Sequence, residues 1–136
     1  IWQDFFYLPP LIVIGSGDME PTPNVTQLGF LNSEEMQKVH QRSMGLITPA
    51  KREMFGQTTV ESFLGGAPVL SNPTTGALSL IQKNINGRIH DFYESGKIEN
   101  YHAIKSFLAF NWNADQISSN AQIQFSKKNA RDYLIN

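Results

Sequence analysis

The sequence predicts an α/β fold, with a parallel β-sheet flanked by helices, from two features of its apolar residues. Short apolar runs recur at residues 11–14, 25–31, 45–48 and 67–70, and each ends at a glycine, a proline or a polar turn. Segments with helical periodicity lie between the later runs, which is the alternation expected of βαβ units. We therefore expect one domain, residues 1–136, built on a parallel sheet.

The predicted strands differ in character. The run at 11–14 is continuous and rich in β-branched residues, a pattern typical of a strand that is buried on both faces of a sheet. The run at 25–31 contains Gly29, and the runs at 45–48 and 67–70 are short. Four strands are therefore expected, and the first should lie inside the sheet.

Three helices are predicted between and after these strands. The first begins at the N-cap Ser33, where two glutamates follow and complement the helix dipole, and it should run to about residue 43. The second covers 58–64, and the third covers 77–83, closed by the pair 86–87. The second helix should turn these apolar side chains inward: Val60, Phe63 and Leu64.

The chain from about residue 97 onward also has the apolar spacing of helices. The residues that carry this spacing are Ile104, Phe107, Leu108, Ile123, Ala130 and Leu134. The domain is therefore expected to end in a helical segment.

Three loops follow predicted strands, at residues 15–17, 48–56 and 71–76. In parallel sheets, ligands bind at the edge formed by the carboxyl ends of the strands. All three loops are therefore expected to open at that edge and to share a ligand. The pair of glycines at 15 and 17 lacks the third glycine and the following helix of a dinucleotide fingerprint, so a nicotinamide or flavin site is rejected.

Composition excludes several classes of function. The 136 residues include 11 basic and 12 acidic ones, a net charge of -1, whereas a protein that binds nucleic acid usually carries a basic surplus. The chain has no cysteine, which removes disulfides and thiolate chemistry and fits a reducing, cytoplasmic compartment. Its longest apolar run is far shorter than the roughly 18 residues of a membrane-spanning helix.

The stretch from Glu53 to Glu61 is the candidate functional motif. The first carboxylate lies in a predicted loop and the second lies about one turn into a predicted helix. Between them, the backbone N–H groups of residues 55–57 precede the helix start, where N–H groups and the helix dipole favour an anion. Ionised carboxylates accept hydrogen bonds from hydroxyl groups. The order of carboxylate, anion cradle and carboxylate suits a sugar, a diphosphate and a ribose in a row.

This stretch resembles the Glu-x7-Glu motif of family 4 glycosyltransferases, which have the GT-B architecture of two Rossmann-like domains. Further segments resemble the family in their order and spacing: residues 11–17, Leu28-Gly29-Phe30-Leu31, Ile47-Thr48-Pro49, Gly66-Ala67-Pro68-Val69 and Asn86-Gly87. The resemblance covers about residues 10 to 90. It implies that the chain is a Rossmann-like parallel sheet flanked by helices, the C-terminal half of a GT-B glycosyltransferase.

The resemblance also implies a role for each site residue. Glu53 would be the catalytic carboxylate that holds the hydroxyls of the donor sugar, and Glu61 would bind the ribose hydroxyls. The residues expected around the sugar and phosphates are Phe55, Gly56, Gln57 and Thr58. Gly15 and Leu31 would line the base pocket.

The implied activity is transfer of a sugar, with retention of its configuration, from a nucleoside-diphosphate sugar to a glycan or lipid acceptor in polysaccharide or glycolipid biosynthesis. Neither a metal nor a cofactor is expected. Ala50 departs from the serine that is usual in the family. The Arg and Lys that neutralise the diphosphate, together with an N-terminal domain, would precede Ile1, so this chain alone is expected to be inactive.

Other interpretations remain open at this point. The chain could be a non-catalytic nucleotide-binding or scaffold module, or part of a GT-B-type epimerase; the sequence upstream would discriminate between them. His40 is expected to be a packed or half-exposed residue of the first helix and not a catalyst. An aromatic group is read as core, as an interface with the missing domain or as a carbohydrate platform: Trp2, Phe5, Phe6 and Tyr7. A basic cluster is a solvated helix face or a peripheral contact with the inner membrane face: Lys127, Lys128 and Arg131.

Overall fold

The computed structural model describes residues 8–15 and 17–125. Strands and helices alternate along most of this part of the chain. In order, the elements are β1 (Leu11–Ile14), β2 (Val25–Gly29), α1 (Ser33–Arg42), β3 (Leu46–Thr48), α2 (Gln57–Leu64), β4 (Val69–Ser71), α3 (Thr75–Leu80), β5 (Gly87–Ile89), α4 (Lys97–Ala109) and α5 (Ala114–Gln124). Ser16, the aromatic group and the basic cluster lie outside the described residues, as do Ala130 and Leu134.

The strands are parallel, as predicted, and within the described residues they form two sheets. One sheet pairs β1 with β2, with Leu11 opposite Val25. The other has the order β3-β4-β5, with Leu46 opposite Val69 and Val69 opposite Gly87. The two crossovers of this second sheet contain α2 and α3, which makes it a Rossmann-like α/β unit.

The prediction that the first strand is buried on both faces is wrong for the described residues. Ile12 is 49% exposed, and Leu28 on the neighbouring strand is 44% exposed. Among the described strands β1 pairs with β2 alone, so the apolar side chains on this face of the pair stay in contact with solvent. The second strand ends at Gly29, whose φ of 71° is left-handed, and not at Leu31.

Two helices have other boundaries than predicted, because a different polar side chain caps each of them. The N-cap of α1 is Asn32 and not Ser33, because the Asn32 side chain accepts from the N–H of Glu35 while Glu35 returns a bond to the Asn32 N–H. The third helix begins at Thr75, two residues earlier than predicted, because Thr74 caps it by accepting from Ala77 N–H at 3.1 Å. It also ends earlier, at Leu80.

The strand β5 was missed because three residues with glycine and arginine carry little strand signal. Gly87 packs so closely against the Val69 backbone that a Cβ at this position would overlap Val69 O. The chain therefore needs glycine at position 87 to form the strand. The pair 86–87, predicted to end the third helix, instead leads into β5.

The core lies where α2, α4 and α5 pack around the three-stranded sheet. One cluster contains Phe63, Val69, Leu80, Ile117, Ala121 and Phe125. The other contains Leu8, Leu70, Tyr101, Ile104 and Phe107. Phe63, Ile104 and Phe107 are buried as predicted, whereas Leu64 and Ile123 are 37% and 77% exposed and do not belong to the core.

The C-terminal helical segment is interrupted between α4 and α5. Trp112 Nε1 donates to Phe107 O at 2.7 Å and closes the first helix, and Asn113 caps the second by accepting from Gln116 N–H at 3.0 Å. No helix among residues 8–15 and 17–125 has the length and apolarity needed to cross a membrane.

Candidate functional site

The candidate site lies at the carboxyl ends of β3, β4 and β5, where three loops meet. The loop after β4 contacts the loop after β3, because Asn72 Nδ2 donates to Pro49 O at 2.8 Å. It also contacts the loop after β5, because Asn72 Oδ1 accepts from Phe92 N–H at 2.9 Å. The loops 48–56 and 71–76 thus share one edge of the sheet, as expected, whereas the third loop of that expectation, at 15–17, follows β1 of the separate two-stranded sheet.

Glu53 lies in a tight turn that leads into α2. Its side chain is partly buried, and Glu53 Oε1 accepts from Gly56 N–H at 3.1 Å. Its carbonyl accepts from Gly76 N–H at 2.7 Å, which ties the turn to the start of α3. The carboxylate is therefore held at the N-terminal end of α2, where the positive end of the helix dipole favours a negative group.

Glycine is required at two places in this turn. Gly56 has a φ of 71°, and a Cβ there would lie 2.7 Å from Leu80 Cδ1. A Cβ on Gly76 would lie 2.9 Å from Gly56 N and 3.1 Å from Glu53 O. The turn and the first residues of α3 therefore pack backbone against backbone, which fixes the position of Glu53 relative to α2.

The first turn of α2 has backbone donors that no side chain caps. Gly56 is the N-cap and contributes no side-chain hydrogen bond. Gln57 and Thr58 are exposed, so an anion can approach this turn from solvent. Phe55 lies beside it with 56% of its surface exposed. The structure thus brings Glu53, Phe55 and the predicted cradle residues together around one helix start.

Glu61 lies one turn further along α2. It follows Gln57 by four positions and Thr58 by three, so the three side chains share a face of the helix. Glu61 is exposed, but the chain around it removes part of the hydration of its carboxyl and raises the pKa of that group above 4.5. A carboxylate that has lost part of its hydration shell can regain hydrogen bonds from the hydroxyls of a ligand.

Within the described residues neither Glu53 nor Glu61 forms an ion pair; the ion pair found there joins Lys38 to Glu34. Both acids therefore keep their acceptor oxygens for a ligand, apart from the Glu53 Oε1 bond to Gly56.

The loop after β5 adds residues that the sequence did not single out. Tyr93 is 55% exposed, and Lys51 Nζ lies 4.5 Å from the centre of its ring. Asp91 Oδ1 accepts from the N–H groups of Tyr93 and Glu94 at 3.1 and 3.0 Å and shapes this loop. The loop that carries Glu53 thus contacts the ring of Tyr93 through Lys51. No spacing in the sequence could reveal this contact, because 42 positions separate Lys51 from Tyr93.

The two residues predicted for the base pocket lie after the strands of the other sheet. Gly15 has a φ of 125° and its N–H donates to Gly29 O at 2.8 Å, at the end of β1. Leu31 is partly buried just before α1. Their role in binding a base stays a prediction. In the described part of the chain, His, Asp and Glu side chains form no group of three that could hold a metal ion.

Two sequence comparisons bear on this site. The model of the family described as Glycosyl transferases group 1 matches residues 16–124. Among curated proteins, the uncharacterized glycosyltransferase MJ1607 of Methanocaldococcus jannaschii is 27% identical over 88 residues, which are 57% of this chain and 23% of the relative. The chain therefore spans about a quarter of the length of that relative.

Solved structures share the fold. Anabaena Alr3699/HepE in complex with UDP-glucose matches 84% of this chain and 33% of its own, with a TM-score of 0.52 and 19% identity. The same protein in complex with UDP and glucose matches 81% of this chain and 32% of its own, with a TM-score of 0.54 and 21% identity. These likenesses confirm the predicted Rossmann-like α/β fold of GT-B type.

Proposed function

The chain belongs to the glycosyl transferases group 1 family, and we propose that it is the donor-binding domain of a retaining family 4 glycosyltransferase. Its substrate is a nucleoside-diphosphate sugar, and the sugar passes to a glycan or lipid acceptor in polysaccharide or glycolipid biosynthesis. The likeness to a protein solved with UDP-glucose supports this class of donor. Because the chain spans about a third of that protein, the activity belongs to the whole protein and not to this chain alone.

The observation that carries the proposal is the turn at the start of α2. Glu53 is fixed there by Gly56 and Gly76, beside backbone donors that no side chain caps. In the proposed complex Glu53 accepts from hydroxyls of the donor sugar, the backbone of Phe55, Gly56 and Gln57 contacts the sugar and distal phosphate, and Thr58 lies near the phosphates. Glu61 accepts from the ribose hydroxyls, and Gly15 and Leu31 border the base.

The chemistry that this arrangement supports is departure of a nucleoside diphosphate. The bond between the anomeric carbon and the diphosphate oxygen breaks, and negative charge grows on the leaving group. The acceptor's hydroxyl oxygen bonds to the same carbon, and its proton leaves with the diphosphate. Preorganised N–H groups at the helix start stabilise that charge without having to reorient. Glu53 positions the sugar and stabilises positive charge on its ring. The remaining cations, an Arg and a Lys, come from chain outside these 136 residues. Neither a metal nor a cofactor is part of the proposal.

The proposed setting is cytoplasmic, with peripheral contact at the inner membrane face where the acceptor is a lipid. Partners are the nucleotide sugar, the acceptor and an N-terminal domain that completes the cleft. The net charge of -1 gives no reason to include nucleic acid.

The proposal is tested in the full-length protein. Thermal unfolding with UDP, GDP, UDP-glucose and GDP-mannose identifies the donor, because a ligand that binds the folded state raises the midpoint with the logarithm of its concentration. With that donor, Glu53→Gln should lower transfer or donor hydrolysis by about 100-fold or more, since it removes a contact to the reacting sugar. The exposed Glu34, which pairs with Lys38 on α1, provides the control Glu34→Gln.

Two results would argue against an enzyme. Absence of any nucleotide-dependent stabilisation would favour a scaffold module. Full activity of Glu53→Gln would remove Glu53 from the site. The 136-residue chain on its own is expected to show no transfer, and measurable transfer by it would contradict the assignment of the diphosphate cations to chain outside these residues.

A further inference from the structure

Asn72 is a buried polar residue at the centre of the candidate site. It follows β4, the middle strand of the order β3-β4-β5, and only 3% of its surface is exposed. A buried amide is costly unless its donors and acceptor are satisfied. The hydrogen-bond partners of its side chain therefore indicate its structural role.

The partners of the Asn72 side chain lie on the two neighbouring loops. Its Nδ2 donates to Pro49 O at 2.8 Å and to Ala50 O at 3.2 Å, both in the loop after β3. Its Oδ1 accepts from Phe92 N–H at 2.9 Å, in the loop after β5. One amide thus holds three loops in register, and the two bonds from Nδ2 end three and four residues before Glu53.

The loop of Asn72 grips the Glu53 turn at its other end as well. Gly76 N–H, four residues after Asn72, donates to Glu53 O at 2.7 Å. The segment from Pro49 to Glu53 is therefore held at one end by Asn72 and at the other by Gly76 at the start of α3, and the direction of the Glu53 carboxylate depends on both contacts. Fixing a reacting group in this way matters because a displacement of about 1 Å can cost about 100-fold in rate.

We propose that Asn72 is a positioning residue of the donor site, which acts by holding the Glu53 turn where the carboxylate can contact the donor sugar. This inference rests on the function proposed above. Asn72 does not touch the donor. Its side chain is buried and bonded to the loop that it supports. It therefore acts on the position of Glu53, and its loss should weaken contacts to the sugar of the donor more than contacts to the nucleotide.

The substitution that tests this is Asn72→Asp in the full-length protein. The new carboxylate keeps the acceptor for Phe92 N–H and the shape of the side chain, but it turns an oxygen towards the carbonyls of Pro49 and Ala50. Repulsion between these oxygens should shift the Glu53 turn. The measurements are kcat and KM for hydrolysis of UDP-glucose and the inhibition constant of UDP, which lacks the sugar; GDP-mannose and GDP replace them if the thermal screen selects guanosine.

The expected result is a loss of about 10- to 100-fold in kcat/KM for UDP-glucose, with a change of less than about 3-fold in the UDP inhibition constant. The matched control is Asn100→Asp. Asn100 is also a partly buried amide, donating to Phe92 O at 3.1 Å and lying 2.7 Å from His90 Nε2, but it has no bond to the Glu53 loop. Asn100→Asp should lower the unfolding temperature, but it should not lower kcat/KM for UDP-glucose more than it weakens inhibition by UDP.

A second variant reaches the same turn from its other end and covers the case in which Asn72→Asp does not fold. Gly76→Ala places a methyl group against Gly56 N and Glu53 O. It should also lower kcat/KM for UDP-glucose while leaving the UDP inhibition constant nearly unchanged. Equal losses for UDP-glucose and UDP in either folded variant, or unchanged kcat and KM, would overturn the positioning role.

Failure of this inference can be told apart from failure of the proposed function. If Glu53→Gln abolishes hydrolysis while Asn72→Asp leaves it intact, the positioning role alone is wrong. If Glu53→Gln leaves hydrolysis intact, the function assigned to the turn is wrong, whatever Asn72 does.

Discussion

At the scale of single residues, the two glutamates of the motif are in different surroundings. Glu53 accepts a backbone hydrogen bond from Gly56, whereas the Glu61 carboxyl is partly desolvated and its pKa is raised. The first is held in place by the protein, and the second gains most from hydroxyl donors that a ligand would bring. This difference agrees with the proposed division of labour between a sugar-positioning acid and a ribose-binding acid.

His40 leads to a prediction about stability. It is 3% exposed, burial lowers the pKa of its imidazole below 6.5, and its Nε2 has no hydrogen-bond partner among the described residues. The unfolded chain therefore binds a proton more readily than the folded one does. The contribution of His40 to stability should be fully present well above the pKa of an unfolded histidine and should be lost as the pH falls through that value towards the lower folded pKa, by at most about 1.4 kcal/mol per pH unit.

The measurement is urea unfolding of the wild type and of His40→Leu between pH 5 and 8. His40→Leu should flatten the pH dependence, because no titrating ring remains at this position. His102, which is exposed on α4, serves as the control His102→Gln and should keep the wild-type slope. A slope in His40→Leu equal to that of the wild type would show that another group titrates.

At the scale of elements, the start of α2 depends on the backbone of Gly56. Gly56→Ala should destabilise the protein by about 1–3 kcal/mol, because it places a side chain at a left-handed φ and against Leu80. Gly96 is the matched control. It is the N-cap of α4 with an ordinary φ of -78°, and the nearest atom to a Cβ there, Glu99 Oε1, lies 3.6 Å away.

Gly96→Ala should therefore cost clearly less than Gly56→Ala when both are measured by chemical denaturation. Similar losses for the two variants would mean that the left-handed geometry of Gly56 is not what the α2 start requires. The claim that Gly56 fixes the turn that carries Glu53 would then be contradicted.

The elements that the sequence predicted best are those with strong local signals. The apolar run at 11–14 and the helix that ends at Leu64 were placed to within a residue, because pattern and glycine punctuation agreed. β5 escaped prediction since its existence depends on the fit of Gly87 against Val69, which is a tertiary contact. Asn72 escaped for the same reason: a single asparagine in a turn-rich loop has no spacing that shows it will be buried between two other loops.

At the scale of the whole molecule, the candidate site lies at the edge formed by the carboxyl ends of a parallel sheet. The chain spans about a third of the length of the solved structures that share its fold. The motif residues could be proposed from the sequence because they are contiguous, from Glu53 to Glu61, and their roles stay predictions. The sequence could not place the base pocket relative to this motif, because Gly15 and Leu31 follow the strands of the separate two-stranded sheet.

The central claim is that Glu61 binds the ribose while Glu53 holds the sugar of one donor. The most direct test is a calorimetric cycle on the full-length protein that combines Glu61→Gln with removal of a ribose hydroxyl, using UDP and 2′-deoxy-UDP, or GDP and 2′-deoxy-GDP if the screen selects guanosine. Two changes that break the same contact are not additive. The account predicts that the deoxy nucleotide binds the wild type about 10-fold more weakly but binds Glu61→Gln nearly as well as the parent nucleotide does. An equal penalty for the missing hydroxyl in both proteins would contradict it.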